Sequence, residues 1–298
     1  MDSSSSPALP PPPGGRLPIW FRHPIPCGTG ASHVRDILNT LHLETVCQGA
    51  QCPNRATCWH DHAAAFLILG NTCTRACRFC AIPHAAVPTA LPPPDPTEPD
   101  RLARAAQQLN LHHVVVTSVT RDDLPDGGAA HFAAVIHALR RTLPGRRIEV
   151  LIPDFRGDPN ALQTVLTAAP DILNHNIETV ERLQTALRPQ ASYRCSLTLL
   201  QRAAQAGARC KSGLMLGLGE TDDDLSRTLR HLREAGVTLL TMGQYLPPSS
   251  GHHPLARYVP PEEFQAWKET ALQMGFEAVA AAPQVRSSYH AADLPPPP

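Results

Sequence analysis

The sequence predicts an α/β fold built on a parallel sheet. Short, mostly apolar runs alternate along the chain with segments whose apolar residues recur at helical spacing, a pattern typical of strand–helix units joined by right-handed crossovers. The runs do not alternate apolar with polar residues, as expected for strands covered on both faces. Six such units are too few for a closed eight-unit barrel, and both a partial barrel and an open doubly wound sheet fit.

The six strands are predicted from apolar runs of five or six residues: Ala64–Leu69, His113–Ser118, Arg147–Ile152, Asp171–His175, Gly213–Leu218 and Val237–Met242. In either architecture the carboxyl ends of parallel strands gather at one edge of the sheet, and ligands bind there. The residues that follow each run are therefore the first candidates for a functional site.

The helices between the strands carry start and stop signals. In the best marked one, Leu225, Leu229 and Leu232 form an apolar stripe, Thr221 is placed to cap the first turn, and Gly236 follows the last. Two more helices have similar punctuation, one around Phe132–Leu139 and one from Pro261 to near Gly275.

Composition gives no sign of a nucleic-acid or membrane partner. The 298 residues include 26 basic and 26 acidic side chains, and no apolar run approaches the roughly 20 residues that span a bilayer. The N-terminus lacks a basic segment followed by an apolar one, and it has no arginine before Arg16, so neither a secretory nor a mitochondrial signal is predicted. We expect a cytoplasmic protein that binds neither nucleic acid nor membrane.

Nine cysteines in a reducing compartment indicate metal ligation or catalysis rather than disulfides. Three of them, Cys27, Cys195 and Cys210, are scattered, and we interpret them as small apolar residues. The other six form two triplets, each of which could hold three corners of a four-iron cluster and leave one iron open: Cys47, Cys52 and Cys58, spaced C-x4-C-x5-C, and Cys73, Cys77 and Cys80, spaced C-x3-C-x2-C.

Zinc is the main alternative for the second triplet, because thiolates also suit zinc. A zinc site usually completes four ligands from paired C-x2-C knuckles, whereas here the fourth ligand would have to be His84 or a distant residue. The spacing therefore favours a cluster. The triplet follows the first predicted strand directly, at the edge of the sheet where chemistry is expected.

Polar residues at two other strand ends are candidates to bind a cofactor. Thr117 lies at the end of the second predicted strand, and Asn176 and Glu178 follow the fourth. An amide and a carboxylate there could hold ribose hydroxyls. Ordinary hydrogen bonding to the backbone at strand ends is the competing interpretation of all three residues.

The spacing of Cys73, Cys77 and Cys80, with Phe79 before the last cysteine, resembles the signature of the radical S-adenosylmethionine (SAM) enzymes. The resemblance implies a partial (β/α)6 barrel of the TIM type, in agreement with the strand count. It also implies that the open iron binds SAM, which the reduced cluster cleaves to a radical that takes hydrogen from unactivated carbon.

Eight blocks of sequence, in order from about residue 40 to 291, resemble the lipoyl synthase family within that superfamily: CPNRATCW, NTCTRACRFC, TSVTRDDLPDGG, VLIPDFRGD, NHNIETV, KSGLMLGLGET, LTMGQYLPPS and VRSSYHA. This resemblance implies that Cys47, Cys52 and Cys58 hold an auxiliary four-iron cluster. Its fourth ligand would be a serine of the Arg-Ser-Ser-Tyr motif. By position in the motif that residue is Ser288, with Ser287 as the alternative.

The family resemblance implies an activity, a sulfurtransferase that inserts sulfur at C6 and C8 of an octanoyl chain. The chain is attached to a lipoyl carrier domain or a glycine-cleavage H-type protein, and the auxiliary cluster is consumed as sulfur donor. Two [4Fe–4S] clusters and SAM are the implied cofactors. Cys73, Cys77, Cys80 and Ser288 are the implied catalytic residues. An electron donor such as ferredoxin or flavodoxin and an iron–sulfur cluster carrier are the implied further partners.

Two other functions are compatible with parts of the sequence. One is a different sulfur-inserting or methylthiolating radical SAM enzyme, against which the Arg-Ser-Ser-Tyr motif argues. The other is a metal-stabilised binding protein without catalysis. The motifs predict four parts: a disordered proline-rich tail over 1–18, an extension holding the auxiliary cluster over 19–62, the partial barrel over 63–282, and a closing C-terminal segment over 283–298.

Overall fold

A parallel sheet forms the centre of the chain in a computed structural model, which describes residues 17–21, 30–60, 63–87 and 91–288. The short β1 pairs antiparallel with β2, and each later pair of neighbours is parallel. Within the described ranges β8 does not pair with β1, so the barrel stays open. The strands follow chain order, from β1 to β8: Glu44–Thr45, Ala65–Ile68, His113–Ser118, Arg147–Leu151, Ile172–Asn174, Cys210–Leu216, Leu239–Gln244 and Ala278–Ala281.

Helices precede the parallel strands and connect them. Two short 3-10 turns, Ile19–Phe21 and Phe155–Gly157, accompany them. No helix in the described ranges is long and apolar enough to cross a membrane. The α-helices, from α1 to α10, are Gly30–Thr40, Val46–Gly49, Arg55–His60, Glu98–Gln108, Ala129–Thr142, Pro159–Thr167, Glu181–Leu187, Tyr193–Gln205, Asp222–Glu234 and Pro261–Gln273.

The predicted partial barrel is confirmed, and the six predicted strands correspond to β2 through β7. The count of six was low, because β8 adds a seventh parallel strand beside β7. Its residues, Ala278–Ala281, are mostly alanines, which give a weak strand signal. The largest shift in bounds is at β6, which begins at Cys210 rather than Gly213. Lys211 interrupts the apolar run there, although its backbone pairs with β5 and β7.

Burial explains why the strands read as continuous apolar runs. All four residues of β2 and all six of β7 are buried, because helices cover the outer face and the barrel interior covers the other. The core therefore forms a continuous layer between the sheet and the surrounding helices.

The predicted punctuation of α9 is confirmed. Thr221 Oγ1 accepts a hydrogen bond from Asp224 N at 3.2 Å, and the Asp224 carboxylate accepts one from Thr221 N at 3.2 Å. This reciprocal arrangement is a capping box, which satisfies two free backbone N–H groups. Gly236 ends the helix with φ of 83°, a conformation that favours glycine.

The segments on either side of the barrel are described only in part. The extension before β2 contains β1 and α1 to α3. Most of the proline-rich tail, Cys27 and the end of the chain after Ser288 lie outside the described residues. The four-part division of the chain therefore stays a prediction.

Candidate active site

The second cysteine triplet lies in the loop that follows β2. The Cys73 N–H donates to Pro83 O, and the Ala85 N–H donates to Cys73 O, both at 2.8 Å, so the loop folds back beside its own start. Cys73 Sγ accepts hydrogen bonds from Arg75 N at 3.4 Å and Thr120 N at 3.3 Å. The structure thus places this sulfur at the carboxyl edge of the sheet, as predicted.

Two of the three thiols in this loop, those of Cys77 and Cys80, have pKa values raised by burial and by a neighbouring sulfur. Burial raises the pKa of the Cys80 thiol to about 12, and the charges of Cys77 and Cys73 add to that effect. Burial also raises the pKa of Cys77, although the Arg188 guanidinium opposes it. A thiol with a raised pKa keeps its proton until a positive charge replaces it. A set of buried, mutually repelling sulfurs therefore suits a multi-iron group.

Arg75 fixes the cysteine loop to the rest of the barrel. Its buried guanidinium donates to both carboxylate oxygens of Asp122, at 2.7 and 2.9 Å, and to both of Asp154, at 2.8 and 2.7 Å. Burial opposes ionisation of Asp154, but the hydrogen bonds from Arg75 lower its pKa to about 2. The loops after β2, β3 and β4 are therefore joined through one side chain.

A cavity of about 430 Å³ opens at the carboxyl edge of the sheet. The sequence did not show that both cysteine triplets would contribute to one space. It is bounded by residues from both triplets, by strand ends and by the C-terminal segment, among them Cys47, Cys52, Cys80, Asn176, Glu178, Gly213, Thr241, Ser287 and Ser288. Much of the remaining wall is apolar, including Phe79, Leu151, Leu214, Met215, Tyr245 and Leu246.

Asn176 and Glu178 both line this cavity, as predicted for cofactor-binding residues. Asn176 Oδ1 is buried without a hydrogen-bond partner. A Cβ on Gly213 would lie 2.9 Å from that oxygen and 2.5 Å from Thr241 Oγ1, so only glycine leaves this space open. Burial raises the pKa of Glu178. An unsatisfied acceptor and an open space beside it are what a polar cofactor would fill.

Thr117 is not among the residues that line this cavity in the described part of the chain. Its hydroxyl donates to Leu151 O on the neighbouring strand at 3.1 Å. The structure thus places Thr117 in the backbone-bonding role that was the competing interpretation of this residue.

Arg188, at the end of α7, is a buried cation that the sequence analysis missed. Its Nη1 donates to the carbonyls of Asn176 and Ile177 at 3.5 Å, and its Nε is buried without a partner. The guanidinium lowers the pKa values of Glu178 and Cys77, although burial raises both overall. Because α7 returns this side chain to the strand edge, only the folded chain places it beside the cysteines.

The first triplet is presented by two short helices of the extension. Thr45 Oγ1 accepts from Gln48 N at 3.3 Å and caps α2, which carries Cys47. Cys52 lies in the following turn, where its N–H donates to Cys47 O at 3.1 Å, and Cys58 lies in α3. Burial raises the pKa of Cys47, and the charge of Cys52 adds to it. These two thiols are therefore neighbours at the cavity wall.

The C-terminal segment, defined as residues 283–288, reaches this first triplet. Asn54 Nδ2 donates to Gln284 O at 2.6 Å, which ties the segment to the loop between Cys52 and Cys58. Ser287 and Ser288 both line the cavity, and Arg286 is close enough to Cys52 for their charges to interact. Tyr289, the last residue of the motif, lies outside the described residues.

The described cysteines are all free thiols. Among the described residues no group of three histidine, cysteine or acidic side chains converges as a single metal ion requires. A zinc site gathers its ligands around one ion, whereas in a four-iron cluster each thiolate binds a different iron. Three thiolates, as in the loop of Cys73, Cys77 and Cys80, are a donor set that a four-iron cluster uses.

Comparisons with known proteins agree with this geometry. The family model for the radical SAM superfamily matches residues 67–232. The chain is similar in fold to SuiB of Streptococcus suis bound to S-adenosylmethionine, with a TM-score of 0.56 and 10% identity over 76% of this chain and 53% of that chain. It is also similar to methylornithine synthase, with a TM-score of 0.51 and 14% identity over 89% and 88%.

The curated relatives are much closer in sequence. Lipoyl synthase of Rubrobacter xylanophilus is 50% identical over 92% of this chain and 85% of that protein. Lipoyl synthase of Nitratidesulfovibrio vulgaris Hildenborough is 51% identical over 97% and 93%, and that of Chlorobium phaeovibrioides is 50% identical over 93% and 98%. Together with the barrel and its cysteine loop, this identity places the chain in the lipoyl synthase family of the radical SAM superfamily.

Proposed function

We propose that this protein inserts two sulfur atoms, at C6 and C8, into an octanoyl chain carried by a lipoyl carrier domain or a glycine-cleavage H-type protein. The observation that carries the proposal is the single cavity to which both cysteine triplets and the C-terminal serines contribute. One site for radical generation and one for sulfur donation must face the same carbon atoms. A shared cavity provides that arrangement.

As a member of the radical SAM superfamily, the chain uses S-adenosylmethionine and an iron–sulfur cluster. Cys73, Cys77 and Cys80 would hold this cluster, and together the two cofactors supply hydrogen-atom abstraction from unactivated carbon. Burial opposes ionisation of the Cys77 thiol, and the Arg188 guanidinium favours its thiolate form. The Arg75 ion pairs hold the loop in place.

Three polar side chains are suited to bind and orient S-adenosylmethionine. The Arg188 guanidinium would pair with its carboxylate, and the Glu178 carboxylate would accept hydrogen bonds from its amino group or ribose hydroxyls. Asn176 offers an unpartnered Oδ1 to another polar hydrogen. Asn176 Oδ1 and Arg188 Nε are buried without partners, which is costly, and the bound cofactor would satisfy them.

Cys47, Cys52, Cys58 and Ser288 would hold a second cluster, which would serve as the sulfur donor. An alkoxide is a hard ligand among soft thiolates, so it is the ligand most easily displaced when one iron must be freed. Arg286 lies close to Cys52, and its positive charge would partly balance the anionic site. Ser287 is the alternative ligand, since it lines the same cavity.

The apolar wall of the cavity fits an acyl chain. Phe79, Leu214, Met215 and Leu246 offer contacts to methylene groups and no polar atoms that compete for hydrogen bonds. Burial of the chain against these residues would exclude water from the reacting carbons. The volume is within the range of pockets that enclose small ligands.

Anaerobic turnover of an octanoylated carrier domain with S-adenosylmethionine and a reductant tests the proposal. The wild-type chain should hold about eight irons, the sum of two four-iron clusters, and intact-mass spectrometry should detect two added sulfur atoms per carrier. A carrier without new carbon–sulfur bonds, from fully loaded protein, would reject the proposed function.

Two variants separate the roles of the triplets. Cys77→Ala should abolish cleavage of S-adenosylmethionine, because the cluster proposed for the second triplet loses a ligand. Cys52→Ala should keep the cleavage but insert no sulfur, because only the donor is lost. Cys195→Ala, outside both triplets, is the matched control and should change neither reaction. If Cys52→Ala still inserted two sulfurs, the cluster on the first triplet would not be the sulfur donor.

The wider reaction needs two further partners, which we propose on chemical grounds. Reduction of the cluster that cleaves S-adenosylmethionine requires a low-potential electron donor such as ferredoxin or flavodoxin. A cluster that gives up its sulfur must be rebuilt by an iron–sulfur cluster carrier. Multiple turnovers should therefore require both proteins, whereas a single turnover should require only the electron donor.

A further inference from the structure

One of the two lysines in the chain is buried inside the barrel. Of the 26 basic residues only Lys211 and Lys268 are lysines, and the Lys211 side chain is 1% exposed. It lies on β6 two and four residues before Gly213 and Met215, which line the cavity. Side chains at such spacing share one face of a strand, so Lys211 lies on the inner face at the cavity floor.

The Lys211 ammonium makes two strong contacts there. Nζ donates to Glu149 Oε1 at 2.8 Å and to Ser287 O at 2.6 Å. Glu149 is fully buried, and it also contacts His113 Nε2 and Asn174 Nδ2, both at 3.1 Å. A buried charge of this kind is stable only when it is paired and fully hydrogen-bonded. The Ser287 carbonyl is thus part of what satisfies Lys211.

The remaining hydrogen bonds of the C-terminal segment are made before the serines. Asn54 bonds Gln284 O, and Gln244 N donates to Pro283 O at 3.2 Å. Arg286 bonds the carbonyls of Pro283 and Val285. In the described part of the chain, Lys211 is the side chain that holds the serine pair itself.

We propose that Lys211, with Glu149 as its counter-ion, is a positioning residue that holds the Ser287–Ser288 peptide at the auxiliary site. The proposal rests on the proposed function, because it assigns a purpose to the serine ligand. The lysine reaches through the barrel interior to the backbone of the ligand motif, and thereby couples the floor of the barrel to the cluster.

The auxiliary site is best isolated in a chain in which Cys73, Cys77 and Cys80 are all replaced by alanine. Any cluster that this background takes up belongs to the first triplet. Into it we introduce the pair Lys211→Met and Glu149→Gln, which removes both charges together so that neither is left buried alone. Lys268→Met, a half-buried lysine on α10, is the matched control.

The rate of iron loss to a chelator and the Mössbauer spectrum are the measurements. We expect the paired variant to lose iron about tenfold faster than the control, as for other groups that orient metal ligands, and to lose the signal of an oxygen-ligated iron. A third variant, Lys211→Met alone, should behave in the same way if it folds. An unchanged rate and spectrum in the folded paired variant would overturn the proposal.

In the complete chain the same pair should leave cleavage of S-adenosylmethionine unchanged and reduce sulfur insertion about tenfold. A structural role would instead lower both reactions together, which would overturn the proposal. If the chain without Cys73, Cys77 and Cys80 takes up no cluster, the proposed auxiliary cluster on the first triplet is rejected, and with it this part of the proposed function. The position of Lys211 is then tested by acetylation with an amine reagent. Slower acetylation of Lys211 than of Lys268 supports the proposed contact of Lys211 with Ser287 O, and equal acetylation of the two lysines overturns it.

Discussion

Gly213 keeps open the space beside Asn176, which we propose holds S-adenosylmethionine. It stands on β6 between Lys211 and Met215, and it faces Asn176 and Thr241 without a side chain of its own. Its φ is not in the left-handed region, so backbone freedom does not explain the choice of glycine. The reason is steric, because any Cβ would occupy the space next to an unpartnered acceptor.

Gly213→Ala should therefore weaken binding of S-adenosylmethionine. The added Cβ would lie 2.5 Å from Thr241 Oγ1, and crowding of this kind costs about 1–3 kcal/mol, enough to raise the Kd about tenfold. Isothermal titration of the loaded protein measures the change. Gly251→Ala is the control, since its nearest neighbour would be Ser249 Oγ at 3.7 Å. Equal affinities in the two variants would contradict this account of the site.

At the scale of elements, β7 and the C-terminal segment approach closely beside the proposed auxiliary site. The Cβ of any other residue at Gly243 would lie 2.0 Å from Val285 O and 3.2 Å from Arg286 Nη1. The closer of these two contacts is with the backbone at Val285 O, which cannot move aside as a flexible side chain can. The position of Val285 and Arg286 in the C-terminal segment therefore depends on glycine in β7.

Gly243→Ala should displace the C-terminal segment and spare the barrel. We expect the serines to leave the auxiliary site, so that sulfur insertion is lost while cleavage of S-adenosylmethionine continues. Iron analysis should fall from about eight toward about four per chain. Both reactions are measured in one assay by mass spectrometry, with Gly251→Ala again as the control. If Gly243→Ala also lost cleavage of S-adenosylmethionine, the C-terminal segment would serve more than the auxiliary site, and this prediction would be wrong.

At the scale of the whole molecule, Arg75 joins three loops of the barrel edge through buried ion pairs. Its partner Asp154 has a pKa of about 2 in the folded chain, whereas an unfolded aspartate titrates near 3.9. Because the folded pKa is lower, the carboxylate stabilises the fold above pH of about 4. That contribution is lost progressively as the pH falls through about 2.

Asp154→Asn should lower the free energy of unfolding at neutral pH by about 2 kcal/mol, and the difference from wild type should shrink as the pH falls below about 4. Urea unfolding of the metal-free, reduced chains at several pH values measures this dependence. Asp100→Asn, whose ion pair with Arg141 is exposed, is the control and should differ from wild type by less than about 1 kcal/mol. If the free energy of unfolding of Asp154→Asn differed from that of wild type by the same amount from pH 7 to 3, the lowered pKa of Asp154 would be contradicted.

The strands β2 to β7 and helix α9 were predictable because their signals are local. Apolar runs such as His113–Ser118 match the observed strand bounds, and the cap at Thr221 forms within four residues of chain. The strand β8 was missed because alanines pack well enough beside β7 but carry little strand preference of their own. Arg188 and Lys211 were missed because a cation on a helix or strand has no local sign of its partner.

The sequence by itself determined the spacing of the cysteines, the alternation of strands and helices along the chain and the membership of a family, because spacing and periodicity are properties of the chain. Only the tertiary structure decided that residues near 50, 80, 176 and 288 line one cavity, and that Lys211 contacts Ser287 across 76 positions. Parallel strands bring distant loops to one edge of the barrel, and packing between them selects which side chains meet. That selection depends on the whole fold, so no local pattern reveals it.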